Sequence, residues 1–322
     1  MRLLRPEKFA FTLTLVLMSV CAALAFAKGM VVDIAAYDLA LMIVSFFFAL
    51  GMFYRYIRMN EPLARACIGI SLLLFAGQVI PVFNYLMLPY RIFGVDQVLA
   101  QIDSYFGFVW SSYATAMAKY PAFCGVLKTV YKSSLWQCAL LLIVLGLFGK
   151  VLEVSRLMLA FIVSGITTIE VWSLFPSSTP AAFQPLTADV LSILHLTVDP
   201  VYGAKLVALS YTGSNFITPI SMLGMVGFPS FHTVMAVLFV YYAWALKYLR
   251  IPAVVLTGLM LLAILLHGAH NLIDVFGGIA VAAFSIWFAS KTASPDVAGE
   301  HAAAHWQPIG RKPKALAVAA QE

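Results

Sequence analysis

An all-α protein that crosses a membrane many times is the fold class this sequence predicts, and three observations predict it. The chain is 62% hydrophobic and only 11% charged over 322 residues. Its mean hydropathy of +0.94 lies far above that of a water-soluble domain. The apolar residues fall in runs near the roughly 20 residues that span a bilayer, and the charges fall between the runs. The net charge of +6 therefore reads as membrane topology, and no nucleic-acid partner is expected.

Eight candidate helices follow from the runs, at 9–27, 38–56, 66–88, 134–149, 157–175, 229–249, 252–268 and 270–290. Ahead of the first, Met1–Lys8 is basic, and Ala25-Phe26-Ala27 near its end resembles a signal-peptidase site. Phe9–Leu24 is longer than the apolar region of a usual signal, so this helix is expected to be retained. The fourth run is short, and almost nothing separates the seventh from the eighth. Residues 1–90 thus hold three membrane helices. Residues 91–133 form an amphipathic segment outside the membrane, 134–290 a second group of membrane helices carrying the chemistry, and 291–322 a disordered tail. Within 91–133, Val95–Phe106 reads as amphipathic, with Asp96 and Asp103 on its polar side. Residues 176–228 are also too long for a plain connector. Both long segments are expected to lie on the membrane surface and roof a site.

With the N-terminus in the cytoplasm, 14 of the 20 Lys and Arg residues fall on the cytoplasmic side. The remaining six, Lys28, Arg91, Lys119, Lys128, Lys132 and Lys205, lie mostly in long loops, where the positive-inside rule has least force. The expected location is the cell's inner (plasma) membrane, crossed many times, with the tail in the cytoplasm.

Two polar clusters interrupt the apolar runs: Phe228-Pro229-Ser230-Phe231-His232-Thr233 and His267-Gly268-Ala269-His270-Asn271-Leu272-Ile273-Asp274. A carboxylate at the centre of a membrane helix costs about 2.5–3.5 kcal/mol on insertion scales, so groups kept at such a depth point to function. The topology puts both clusters at the extracytoplasmic face, joined by a helical hairpin. His270 and Asp274 are four apart and share a face if one helix carries both. A carboxylate on one imidazole nitrogen fixes the tautomer and makes the other nitrogen a nucleophile or base. His232 can then act as a general acid. Pro229, expected in the first turn of its helix, with Ser230 and the free amides of that turn, forms a candidate phosphate cradle. His267, one turn before His270, either tunes the pocket or packs. Gly268, Gly277 and Gly278 are expected at close helix contacts. Phosphoryl transfer needs positive charge near the phosphorus, and Lys132 and Lys205 are the chosen candidates, with Glu170 to pair with one of them or bind an acceptor hydroxyl. Cys21, Cys67, Cys124 and Cys138 show no metal-site or disulfide spacing.

The motifs Pro229-Ser230-Phe231-His232 and His270-Asn271-Leu272-Ile273-Asp274-Val275-Phe276-Gly277-Gly278 resemble the second and third signatures of the type 2 phosphatidic acid phosphatase superfamily. Within it the likeness is to the branch containing inositol phosphorylceramide synthases. Gln101-Ile102-Asp103-Ser104, Tyr131-Lys132-Ser133-Ser134-Leu135-Trp136 and Leu174-Phe175-Pro176 resemble that branch less specifically. The likeness covers roughly residues 95–290. It implies a core of the six-helix phosphatase and phosphotransferase type. It also implies His270 as a nucleophile passing through a phosphohistidine, Asp274 as its orienting partner, His232 as the acid, and neither metal nor cofactor. The substrates implied are a phospholipid or lipid phosphate and a lipid-alcohol acceptor. The phosphatases' first motif, a Lys and an Arg-Pro pair, is absent. Ile264 stands where the family has an Arg, and Phe231 where it has a small residue. Those departures disfavour a plain phosphatidate phosphatase and favour the transferase-like branch.

Three functional classes remain open on the residues alone. One is a lipid phosphotransferase or phosphatase. Another is a metal-dependent membrane enzyme with His232, His267, His270 and Asp274 as ligands, and the third a proton-coupled transporter using the same groups as a relay.

Overall fold

The computed structural model describes residues 3–89 and 94–294 and is 76% helical. Arg2, Arg91 and most of the tail, including His301, His305 and Lys312, lie outside the described residues. The helices are α1 (Arg5–Lys28), α2 (Asp38–Tyr56), α3 (Glu61–Leu86), α4 (Asp96–Tyr105), α5 (Trp110–Met117), α6 (Pro121–Lys132) and α7 (Ser134–Leu147). They continue with α8 (Val151–Leu174), α9 (Ala188–Leu194), α10 (Pro200–Thr212), α11 (Phe231–Ala243), α12 (Arg250–His267) and α13 (Leu272–Thr292). The chain is an all-α polytopic membrane protein.

Each predicted apolar run is helical, but not each is a full span. Six helices, α1, α2, α3, α8, α12 and α13, are long and apolar enough to cross a membrane. The short fourth run, α7, continues α6 across a 57° bend, and the two together make a seventh candidate span. Helix α11 has 13 residues, about 20 Å at 1.5 Å per residue, which falls short of a hydrocarbon core of roughly 30 Å. It starts only at Phe231 and stops at Ala243, after which the chain turns before a short 3₁₀ segment, Lys247–Leu249.

The most enclosed spans are α3 and α8, which pack together at the centre. Helices α1 and α2 cover α3, α13 and α11 lie against α8, and α12 backs α11. Leu73, Leu157 and Met158 lie in this core, whereas Leu39, Met42 and Phe46 of α2 face outward, as apolar residues do where lipid is the solvent. At one end of the bundle Arg55 of α2 donates to Glu7 of α1 and to Glu61 of α3 over 2.7–3.0 Å. At the other end Lys28 donates to the Leu86 and Leu88 carbonyls. Beside it Val31–Val32 (β1) pairs in parallel with Phe216–Ile217 (β2). The start of α1, the end of α2 and the start of α3 thus meet at one end of the bundle, and the ends of α1 and α3 at the other.

On the amphipathic α4 the side that carries Asp96 and Asp103 turns toward the protein: Asp103 and Leu99 are buried, while Val98, Tyr105 and Phe106 are exposed. The acids turn inward because backbone amides there need acceptors. Asp96 accepts from the Ser178 amide (2.8 Å) and hydroxyl (3.2 Å), and Asp103 from the amides of Leu272 (2.6 Å) and Ile273 (2.9 Å).

The expected close approach of α13 to α11 is seen at its glycines. A Cβ on Gly278 would meet the Ser230 carbonyl oxygen at 2.6 Å and Thr233 Cβ at 2.7 Å. On Gly277 it would meet Pro229 Cβ at 3.0 Å.

Candidate active site

Two capped helix starts bring the polar clusters together. Ser230 is the N-cap of α11, its hydroxyl accepting from the Thr233 amide at 3.4 Å. Pro229 thus precedes the helix and is not in its first turn, which corrects the sequence expectation. Ser177 of the loop after α8 accepts from the Phe228 amide at 2.6 Å, fixing the approach to this cap.

The start of α13 is a capping box, with Asn271 as N-cap and Asp274 at the third helical position. His270 therefore lies ahead of the helix, and its pairing with Asp274 comes from the cap, not from a shared helix face. Asp274 folds back so that Oδ2 accepts from the Asn271 amide at 2.9 Å and meets His270 Nδ1 at 3.0 Å. This is the reciprocal geometry such a box provides, extended by one imidazole. The carboxylate as acceptor assigns a proton to Nδ1 and leaves the lone pair on Nε2. The side chain of Asp274 is 1% exposed, which shields the pair from competing water.

Three further contacts hold the turn. Ala269 adopts φ +44°, a left-handed conformation that costs a non-glycine residue about 1–2 kcal/mol. Its carbonyl accepts from the Thr179 hydroxyl at 2.7 Å. The Ser230 amide donates to the Asp274 carbonyl at 3.0 Å, joining one cap to the other. Asp103 closes the helix start from outside through the Leu272 and Ile273 amides. Burial pushes the Asp103 carboxyl up from the usual range, opposed by those two hydrogen bonds.

His232, in the first turn of α11, stacks on Tyr131 of α6 with ring centroids 4.2 Å apart and planes 19° apart. His232 and His270 both line one cavity of about 480 Å³, walled also by Tyr131, Tyr202, Asn84 and Thr168. Phe231 lines it as well and packs edge-on against Phe161. The long segment between α8 and α11 supplies much of the cavity wall, through Ser178, Thr179, Thr197 and Met222 among others. A buried imidazole with its far nitrogen free, a second imidazole and a helix N-terminus thus meet at one enclosed volume.

A family model for the PAP2 superfamily matches residues 97–288, well over half of the chain. The chain belongs to the PAP2 superfamily. Membership supports a lipid-phosphatase-type function on lipid phosphates in the membrane. No curated protein and no solved structure matches the chain. The matched region runs from α4 into α13, so this PAP2 protein carries α1–α3 outside it.

Several residues singled out in the sequence of this PAP2 protein lie away from the cavity. Ser230 is fully buried as a cap and does not line the cavity. His267 is likewise buried, its Nε2 2.9 Å from the Cys124 carbonyl of α6, so it ties α12 to α6 outside the cavity wall. Lys132, Lys205 and Glu170 are exposed and line no part of it. Lysine and arginine are absent from the described residues that line the cavity. Among the described residues no three His, Cys, Asp or Glu side chains gather as a metal site.

Tyr131, named in the sequence only as part of a motif, has a place at the cavity that the sequence alone does not assign, as do Asn84 and Thr168. The capping role of the Asp103 carboxylate was likewise unassigned. Tyr131 had a signal, since it stands one position before the chosen Lys132, on the buried face of an amphipathic helix. Asn84 had another, as a polar residue inside an apolar run.

Proposed function

We propose that this PAP2-superfamily protein is a membrane-embedded lipid phosphotransferase working through a phosphohistidine. In the first step His270 Nε2 attacks phosphorus and forms the P–N bond. The P–O bond to the leaving group breaks, and a protonated His232 gives its proton to the departing oxygen. In the second step a lipid hydroxyl loses its proton to His232 and attacks phosphorus, and the P–N bond breaks. Asp274 holds the His270 tautomer and offsets the imidazolium charge.

The observation that carries this reading is the 3.0 Å His270–Asp274 pair beside a cavity that His232 also lines. Two features support transfer over hydrolysis alone. Among the described residues the cavity wall carries none of the cations a phosphomonoester dianion calls for. What it offers is the N-terminus of α11, where the Phe231 and His232 amides have no intrahelical acceptor. The wall is also mostly apolar, which suits a lipid acceptor, and positioning supplies effective concentrations of about 10⁵ M or more, enough for a held alcohol to outcompete water. The motif likeness to the inositol phosphorylceramide synthase branch agrees with this. A phosphatase that hydrolyses lipid phosphates is the second reading, because it shares the first half-reaction and the family membership.

Reconstituted with a labelled phospholipid donor and a lipid alcohol such as a diacylglycerol or ceramide, the protein is expected to form a new labelled lipid faster than it releases a water-soluble phosphate product. If a broad set of lipid alcohols leaves the release rate untouched and no new lipid forms, the enzyme is a hydrolase.

The reading also places the cavity at the extracytoplasmic face of the plasma membrane, supported by the positive-inside distribution. A cysteine at Ser214 is then expected to react with an impermeant maleimide in intact cells, and one at Arg58 only after lysis. The opposite labelling pattern would invert the topology.

A further inference from the structure

Three polar atoms buried in the cavity wall have no hydrogen-bond partner. They are Asn84 Nδ2 on α3, Thr168 Oγ1 on α8 and Thr197 Oγ1 ahead of α10. Asn84 is 5% exposed and Thr168 1%. An unmet buried amide or hydroxyl costs about 1–3 kcal/mol, so several on one wall mark a place where something else completes their bonds. All three line the same cavity as His232 and His270.

The chemistry of the wall narrows what fits. Its remaining surface is largely apolar, with Ile80, Ile169, Leu206 and Met222, and Asp, Glu, Lys and Arg are absent from the described lining. A charged group held there would be desolvated and unpaired. An amide N–H donates, while a threonine hydroxyl both donates and accepts. A neutral hydroxyl, itself donor and acceptor, matches that set. Asn84 also lies outside the matched family region of 97–288, so this contribution belongs to the N-terminal helices of this chain.

We propose that Asn84 and Thr168, assisted by Thr197, form a neutral hydroxyl-binding subsite that sets which lipid this enzyme selects. The inference rests on the phosphotransfer reading above. The hydroxyl comes either from the headgroup of the donor lipid or from the lipid-alcohol acceptor. In both cases α3, through Asn84, takes part in recognition and is not only a scaffold.

The test uses the full-length reconstituted protein with Asn84→Leu and Thr168→Val, which remove the polar atoms at similar volume, and Thr168→Ser, which keeps the hydroxyl. One arm compares kcat/KM for dihexanoyl-phosphatidylglycerol, whose headgroup bears hydroxyls, with that for dihexanoyl-phosphatidate, which has no such headgroup. The other measures KM for dihexanoylglycerol as acceptor. A headgroup subsite predicts that the first two variants lower the phosphatidylglycerol-to-phosphatidate ratio tenfold or more. An acceptor subsite predicts instead a tenfold or greater rise in acceptor KM. In either case Thr168→Ser stays near wild type. Parallel losses on both donors with acceptor KM unmoved, or no change at all, overturn the subsite while the phosphotransfer reading stands. A wild-type protein no more active than His270→Ala on any of these lipids overturns both.

Discussion

His270→Ala is expected to abolish turnover, with a loss on the order of 10⁶-fold, as removal of a nucleophile from a coupled catalytic unit produces. Among the described residues no other side chain along the cavity wall combines a free nitrogen with a carboxylate at its back. The matching variant His232→Ala separates the two imidazoles. Its loss on a lipid with a poor leaving group is expected at about 10²–10⁴-fold, the usual contribution of a general acid. On an activated phosphoester such as a p-nitrophenyl ester, whose leaving oxygen needs no proton, His232→Ala should recover most of the first half-reaction, and His270→Ala should recover none. Equal losses in both variants on the activated ester would contradict the division of roles.

Asp274→Asn is expected to lower kcat about 10⁴-fold, the scale seen where the orienting carboxylate of a histidine is neutralised. The amide can present its NH₂ to His270 Nδ1 and so hold the wrong tautomer, with the proton on Nε2, where attack must occur. It also removes the negative charge that offsets the imidazolium. The carboxylate has a second duty, because the same oxygen caps α13 by accepting from the Asn271 amide. The two duties are separable by experiment. An Asn that turns its NH₂ to His270 gives up that hydrogen bond, so the thermal midpoint should fall by no more than the loss of one helix cap costs, about 0.5–2 kcal/mol, while kcat collapses. A midpoint that falls in step with activity would make Asp274 chiefly a structural cap.

Much of this was legible in the sequence because membranes punish misplaced polarity. The two histidine clusters stood out against apolar runs, and the runs themselves became α1, α2, α3, α7, α8, α11, α12 and α13. The direction of side chains on the short outer helices was not legible. On α4 Val98 and Tyr105 face outward, whereas Asp103 turns to the protein together with Leu99. Periodicity marks two faces but does not say which one meets the rest of the chain when the surroundings include lipid. The same ambiguity explains Lys132. It was chosen for its charge, while its neighbour Tyr131 is the residue that reaches His232. His270 and Asp274 were paired by four-residue spacing, but the contact arises because Asn271 starts the helix between them. Asn84 and Thr168 were hidden for a different reason. Single neutral polar residues in a membrane helix most often bond within the bundle, and only the cavity shows that these two do not.

The central claim is that phosphorus passes through His270 Nε2, and trapping the intermediate tests it most directly. The reconstituted enzyme would be mixed with a ³²P-labelled activated donor, quenched in alkali to preserve a P–N bond, digested and mapped by mass spectrometry. The account predicts acid-labile label on the peptide holding His270, attached at Nε2 because Asp274 occupies Nδ1. It also predicts loss of that label when a lipid alcohol is added before the quench. Label on another residue, label retained in His270→Ala, or turnover that proceeds with no covalent phosphoenzyme at any time point would contradict it.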